Sequence, residues 1–354
     1  MVEIEIDDHL FNNKKSDYSS LFDSFKVIKL ETNEHSLMGR ITKIEFYNNR
    51  FYILDTSRIL YVFNNEGKFL NKLSRQGYGP EEYIELRDFY VCRNGDIKIL
   101  TYNKIVTYSP EMEYIGQENF NLTSSSGREI NPIMYHLNDI GSWFFMGSFG
   151  LRSVVPGKDY ALYFVEKNKK IKNEFFPLTS GYAFVNNIFF TSNEKKYLTT
   201  TFGNDTIYEL LGDNLYARYF VNFKHKAVSE KDMMGDRGEI YERSVKLGLR
   251  GSINNVFESS SHFCFSFNEA GNTRKQAIFY KKTGNVQIIN EGRTLPLPLI
   301  MIQGVLEETF YTILEPWVLF SQNKNGMYDD FINSNGLNDL NVEDNPMIVK
   351  FILK

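Results

Sequence analysis

Two cysteines, two tryptophans and nine prolines in 354 residues leave little of the chemistry that staples or kinks small domains. Cys92 and Cys264 each lie in an apolar, strand-like run (Phe89-Tyr90-Val91-Cys92 and Phe263-Cys264-Phe265). Such surroundings predict two buried thiols rather than a disulfide framework or a metal pair. An excess of positive charge is also missing. The formal net charge is -4, so nothing offers a phosphate backbone a basic field, and nucleic acid is excluded as a partner. The basic runs Lys167 to Lys172 and Lys281-Lys282 read as solvated turns between strands.

No apolar stretch is long enough for a transmembrane segment. The opening Met1-Val2-Glu3-Ile4-Glu5-Ile6-Asp7-Asp8 is too acidic for an export signal. The chain is therefore expected to be either cytoplasmic or the processed form of an exported protein. Catalytic signatures are missing as well. The sequence holds no His-x-x-x-His, no paired cysteines, no Gly-x-Ser-x-Gly and no phosphate loop, so zinc protease, serine hydrolase and NTPase readings lack their minimum parts.

What the chain does have is aromatic residues in quantity, 30 Phe and 22 Tyr, which favour the half-buried pleated surface of a sheet. They recur in order. Phe51-Tyr52-Ile53-Leu54-Asp55, Leu60-Tyr61-Val62-Phe63 and Gly67-Lys68-Phe69-Leu70 are echoed by Ile97-Lys98-Ile99-Leu100-Thr101, Val106-Thr107-Tyr108 and Glu113-Tyr114-Ile115. The offset of about 45 residues is the period of a four-stranded propeller blade. Six innermost strands are expected at Ile41 to Tyr47, Leu86 to Val91, Ile133 to Asn138, Phe184 to Phe190, Ile253 to Glu258 and Ile302 to Glu307. The fold class is all-β, a six-bladed β-propeller with four-stranded antiparallel blades.

Phe25 to Leu30 alternates as a strand yet has no local blade, and Met347 to Leu353 is a strand at the far end, after a unit one strand short. The two are expected to share one sheet and close the ring, which removes open edges. Residues 1–24 read as a polar, loosely attached leader, and residues 25–354 as a single propeller domain. A helical insertion is expected at about 226–248, opened by Ser229-Glu230-Lys231-Asp232 as a cap. Asn323 to Asn345 reads as a long polar excursion.

Three segments, Arg75-Gln76-Gly77-Tyr78-Gly79-Pro80-Glu81-Glu82-Tyr83, Asn204-Asp205-Thr206-Ile207-Tyr208 and Asp344-Asn345-Pro346-Met347-Ile348-Val349, carry a resemblance. The chain resembles the six-bladed β-propeller proteins of Bacteroidetes, a group related in pattern to NHL-repeat and TolB-like propellers. The resemblance covers roughly residues 25–354. It implies a ring that is usually exported, sited in the periplasm or at the outer membrane and often held there by a lipid anchor, with no chemistry common to the family. This sequence departs from it in showing no lipobox cysteine.

Aligned on their first firmly apolar position, the six inner strands show two polar sets. One is Lys43, Asp88, His136, Asn187, Asn255 and Gly304; the other is Thr42, Arg87, Tyr135, Asn186, Asn254 and Gln303. Side chains alternate along a strand, so only one set can face the axis at a given level. These residues solvate an axial water column, or they hold a ligand. Asp88 and His136 are the types that could bind a divalent cation such as Ca. The first junction adds Arg75, Glu81, Glu82 and Tyr83, which either brace the connector or meet a ligand. There Gly77 and Gly79 are expected to supply backbone angles forbidden to other residues. Trp143, Trp317, Tyr78, Tyr83, Tyr135 and Tyr182 are either core residues or stacking platforms for sugars.

Two functions remain open. One is a non-enzymatic binding or scaffold propeller of the cell envelope, without cofactor, that meets a protein, peptide or glycan through loops at one face. The other is a metal-dependent hydrolase or lyase with a cation on the axis.

Overall fold

The structure is a computed structural model of the chain. It describes residues 1–11, 21–127, 129–138, 140–145, 159–178, 188–200, 203–235, 237–269, 273–290 and 301–354. Six antiparallel four-stranded sheets form the ring of a six-bladed β-propeller, as the repeat predicts. Blade one comprises Ile41–Tyr47, Arg50–Asp55, Leu60–Asn64 and Phe69–Leu73; blade two comprises Asp88–Val91, Ile97–Leu100, Lys104–Tyr108 and Tyr114–Asn119. Blade three runs Met134–Leu137, Gly141–Phe145, Tyr160–Glu166 and Ile171–Pro177, and blade four Phe189–Ser192, Lys195–Leu198, Thr206–Leu211 and Asn214–Asn222. Blade five runs Arg250–Glu258, His262–Glu269, Thr273–Tyr280 and Val286–Asn290.

Blade six is assembled from both ends of the chain. Ile302–Leu306 and Thr309–Leu314 are followed by Met347–Leu353, and Phe22–Lys29 pairs antiparallel with that last strand, Phe25 opposite Phe351 and Val27 opposite Val349. Phe351 meets the ring of Phe22 at 5.2 Å and that of Phe310 at 6.2 Å, so the seam is apolar as well as hydrogen-bonded. Blade six then grips blade one: Glu31 N–H donates to Gly67 O (2.8 Å), while Asn345 accepts from Met38 N–H (3.0 Å) and donates to Glu31 O (2.8 Å). The core consists of apolar layers between neighbouring blades. Tyr52, Val62, Phe89 and Val106 fill the layer between blades one and two, and Tyr61, Phe63, Tyr311 and Ile348 the one between six and one.

The first residues are not a loose leader. Val2–Glu5 adds a fifth, parallel strand to blade four, Ile4 opposite Val221, with Ile4 and Ile6 fully buried. The alternation of Val2, Ile4 and Ile6 with acids gives one apolar face to the blade and one charged face to solvent. The charged face is anchored: Glu5 pairs with Lys224, and Asp8 with Arg250 at 2.8 Å. The expected insertion at 226–248 contains a capped 3-10 turn, Glu230–Met233, and one α-helix, α1 (Arg237–Leu247). The expected polar excursion at 323–345 is largely folded. Pro316–Gln322 (α2) precedes it, Asp329–Ser334 (α3) lies within it, and Tyr328, Phe331, Leu337 and Leu340 bury themselves against the core. Its apolar residues are few but correctly spaced, which outweighs its Asn-rich composition.

Antiparallel connectivity sorts the loops onto two faces. First-to-second and third-to-fourth strand turns share one face, and there the connections are short, for example 48–49, 193–194, 212–213 and 307–308. The opposite face receives the blade-to-blade connectors and the second-to-third loops, including 74–87, 223–249 and 315–346 with the three α-helices of the described residues. No helix among the described residues is long and apolar enough to cross a membrane.

Two outcomes follow. Phe351→Ala should lower stability by about 3–5 kcal/mol and shift the whole domain's melting transition downward. Removing residues 1–8 strips two buried isoleucines and bares the blade-four edge. Denaturant unfolding should report a loss of roughly 3–6 kcal/mol, with sizing showing association through the opened edge.

Candidate functional site

Three members of one polar set, Lys43, Asp88 and His136, come together among the inner strands of blades one to three. Lys43, on the inner strand of blade one, donates to Asp88 Oδ1 at 2.7 Å and to Phe89 O at 2.6 Å, and lies 3.0 Å from Glu45. Asp88 Oδ1 also accepts its neighbour Phe89 N–H (2.8 Å), and Oδ2 accepts Tyr135 N–H (3.1 Å) from blade three. One carboxylate thus ties blades one, two and three together. Burial works against the Lys43 ammonium, but the charges of Asp88 and Glu45 outweigh it and raise its pKa. Burial pushes Asp88 upward, against the pull of Lys43. With three N–H donors on the carboxylate and two carboxylates on the ammonium, the pair is an ionic one.

These contacts decide the fit of a cation. The oxygens of Asp88 are already occupied, and a divalent ion would have to displace Lys43 from the position it needs. His136 is buried with the edge of Tyr90 at 5.3 Å and Phe189 at 6.3 Å. Burial, with Lys196 and Lys43 nearby, holds its pKa well below the usual range, so the ring is neutral. Among the described residues, no three acid, imidazole or thiol groups converge as a metal site requires. Asp88 and His136 therefore do not fit a metal centre.

Four members of the other set, Thr42, Arg87, Tyr135 and Asn254, are bonded to their neighbours. Thr42 Oγ1 donates to Leu54 O (3.0 Å), and the fully buried Tyr135 sends its hydroxyl to Lys98 O (2.7 Å). Arg87 bonds Pro132 O (3.1 Å) and pairs with Glu85 (3.2 Å) under the ring of Tyr102. Asn254 is buried and accepts the N–H of Asn255, which has a positive φ of 48° within a bulged strand. Gln303 is half-buried. Beside it, Gly304 is obligatory, because a Cβ there would stand 1.8 Å from the Tyr311 ring that crosses it. Asn186, Asn187 and Tyr182 lie outside the described residues.

The junction loop is a brace. Tyr83 is fully buried, accepts Arg75 N–H (3.2 Å) and donates to Leu73 O (3.1 Å). Arg75 pairs with Glu81 at 3.0 Å on the surface, and Glu82 accepts Gly79 N–H at 2.8 Å. Gly77 and Gly79 are absent from the positive-φ residues, contrary to the expectation from sequence. Gly77 serves to make room, since a Cβ would lie 2.0 Å from the Glu82 carboxylate. Trp143 is core, its Nε1–H bonded to Gly212 O (3.1 Å), whereas Trp317 is 57% exposed on α2. Cys264 is buried, as expected; Cys92 is only half-buried, and both are free thiols.

Sequence reasoning missed a second polar centre, at the short-turn end of blades four and five. Glu258 is buried; it accepts the Lys195 ammonium at 2.7 Å, Lys281 at 2.5 Å, the Tyr219 hydroxyl at 2.7 Å and the Tyr197 hydroxyl. Beside it, Asn193 donates to Glu258 O and Glu307 O and accepts Glu307 N–H, stitching blades four, five and six. A separate open groove of about 940 Å³ runs along the outer strand of blade three, between Asn121, Ser125, Lys170 and Phe175. No axial residue lines it.

Burial alone would raise the Glu258 carboxyl, but Lys195, Lys281 and the two tyrosines overcome this and bring its pKa from 4.5 down to about 2. A depressed folded-state value means stability that is complete above pH 4.5 and is lost as pH falls through 2. Glu258→Gln should therefore cost about 3 kcal/mol at pH 7 and flatten the fall in stability between pH 4.5 and 2. Denaturant midpoints measured across that range check this, and parallel pH profiles for wild type and variant would contradict it.

Comparison with known proteins agrees with this architecture. A solved protein of Bacteroides fragilis, described as a "Putative exported protein", superposes with a TM-score of 0.79 at 18% identity, covering 100% of both chains. The extracellular domain of a protein of B. thetaiotaomicron described as a "putative hybrid two component system" gives a TM-score of 0.42 at 12% identity, over 83% of this chain and 36% of that one. The WD40 domain of Neurospora crassa Pan2 gives 0.40 at 10% identity, over 84% and 76%. No curated protein matches the chain. The model of one family, described as a domain of unknown function (DUF4934), matches residues 1–351, and the chain belongs to that family.

Proposed function

We propose that this chain is a non-enzymatic binding or scaffold propeller of the bacterial cell envelope that engages a protein, peptide or glycan through its long-loop face. The observation that carries the reading is the unequal dress of the two faces. Among the described residues, every α-helix and the longest connectors sit on one of them, over a ring whose opposite face carries short turns. Loops held on a rigid scaffold are where recognition concentrates.

That face also exposes large apolar side chains: Tyr78 (91%), Ile84 (61%), Met234 (66%), Trp317 (57%), Phe320 (40%) and Val342 (55%). Trp317 and Phe320 stand one turn apart on α2, an aromatic pair of the kind that anchors interfaces. The axial ion pairs favour a structural role over catalysis, because Asp88 is committed to three donors. An extracytoplasmic site is supported by the description of the B. fragilis structure as exported. Attachment through a lipid anchor and a kinship to NHL-repeat and TolB-like propellers belong to the same reading.

Cosedimentation with envelope material from Bacteroides cells tests it. Trp317→Ser combined with Tyr78→Ser should reduce binding at least fivefold, equivalent to about 1 kcal/mol. Lys68→Ala, on the short-turn face, should leave it unchanged. Equal binding by all three proteins, or a loss only with Lys68→Ala, would overturn the proposal.

A further inference from the structure

The short-turn end of the axis holds a half-buried lysine without an acidic partner among the described residues. Lys196 is the second residue of the second strand of blade four and reaches towards blade two, its ammonium 2.9 Å from Thr191 Oγ1 and 5.4 Å from the centre of the Tyr90 ring. Its neighbour Lys195 is committed to Glu258, and Lys43 to Asp88 and Glu45. Among the described residues, Lys196 has no carboxylate within ion-pair distance.

Around it, positive charges outnumber negative ones. The charges that reach Lys196 are those of Glu45, Lys43 and Arg93. Glu45 is already drawn to Lys43 at 3.0 Å and to Val91 N–H at 3.4 Å. Arg93 is exposed, in the turn after the inner strand of blade two, and its carbonyl is fixed by the Tyr47 hydroxyl. Opposite, Asn193 draws blades four, five and six together. A half-buried ammonium and a hydroxyl, with the charge of the Arg93 guanidinium felt at the ammonium, provide donors for one oxyanion, and the Tyr90 ring offers a wall for the flat or apolar body that carries it.

We propose that the short-turn mouth of the axial channel binds a small oxyanion, a carboxylate or phosphate group carried by an organic molecule, with Lys196 as its principal ligand and Tyr90, Thr191 and Arg93 around it. The site lies on the face opposite the one assigned to envelope binding, and the two stand independently. The charge environment of Lys196 agrees with this. Burial and the charges of Lys43 and Arg93, only partly offset by Glu45, bring the Lys196 pKa down to about 8. An arriving anion would reverse that and hold the amine protonated.

The depressed value supplies the readout. At pH 7 roughly a tenth of such an amine is unprotonated, against less than about 0.1% for an ordinary lysine. Lys196 should therefore acylate ahead of Lys170, with site-resolved mass spectrometry as the measure. Inorganic phosphate or galacturonate should slow acylation of Lys196 at least threefold, without slowing that of Lys170. Galactose, or sodium chloride at matched ionic strength, should leave it unchanged. Protection by phosphate alone, by galacturonate alone or by both supports the site and identifies which anion it takes. Protection by neither, or by sodium chloride equally, overturns the proposal. In calorimetric titration with the protecting anion, Lys196→Met should abolish binding and Lys196→Arg should retain it. Binding by the Met variant at wild-type strength would also overturn it.

Discussion

The pairing of Phe22–Lys29 with Met347–Leu353 is the constraint on which the rest depends. A propeller has no central core. Each blade buries its faces only against its two neighbours, so every apolar layer requires the ring to be complete. Joining the two chain ends in blade six converts a row of sheets into a closed cycle, and the inner strands acquire fixed positions around an axis. The Lys43–Asp88–Tyr135 connection and the Asn193 clamp are possible only because that cycle holds six strand ends within bonding distance.

The polar groups inside the ring follow from that geometry. Inner strands converge, and charged side chains among them are stable only when paired. Asp88 and Glu258 are satisfied to the point of rigidity, each by donors from other blades. They act as rivets between sheets. Lys196 differs, because the nearest acid, Glu45, is already shared with Lys43. The Lys196 ammonium is held by a hydroxyl and an aromatic ring rather than by an acid.

Much of the fold was legible in the sequence. The repeat of about 45 residues gave the blade number, and the unpaired strands at the two ends gave the closure. The N-terminal strand was misread because its acids suggested a solvated leader, although Val2, Ile4 and Ile6 carry the period-two signal of an edge strand. The helices after Glu315 were masked by composition: Tyr328, Phe331, Leu337 and Leu340 are sparse among Asn, Asp and Gly. The axial site was half legible. Alignment brought Lys43, Asp88 and His136 to one level but could not say that lysine would take the place open to a metal. Glu45 and Tyr90 were within reach by alternation from Lys43 and Asp88. Lys196 and Glu258 were not, since they meet the axis from a second strand and from the far end of an inner strand.

Native-state hydrogen exchange tests the central claim most directly. If the terminal seam closes the ring, the amides of 22–29 and 347–353 should exchange only through global unfolding, with the same free energy and denaturant dependence as the inner strands of blades two to five. Exchange of the seam at markedly lower free energy, with the other blades still protected, would show that the ring stands without it and would contradict the account.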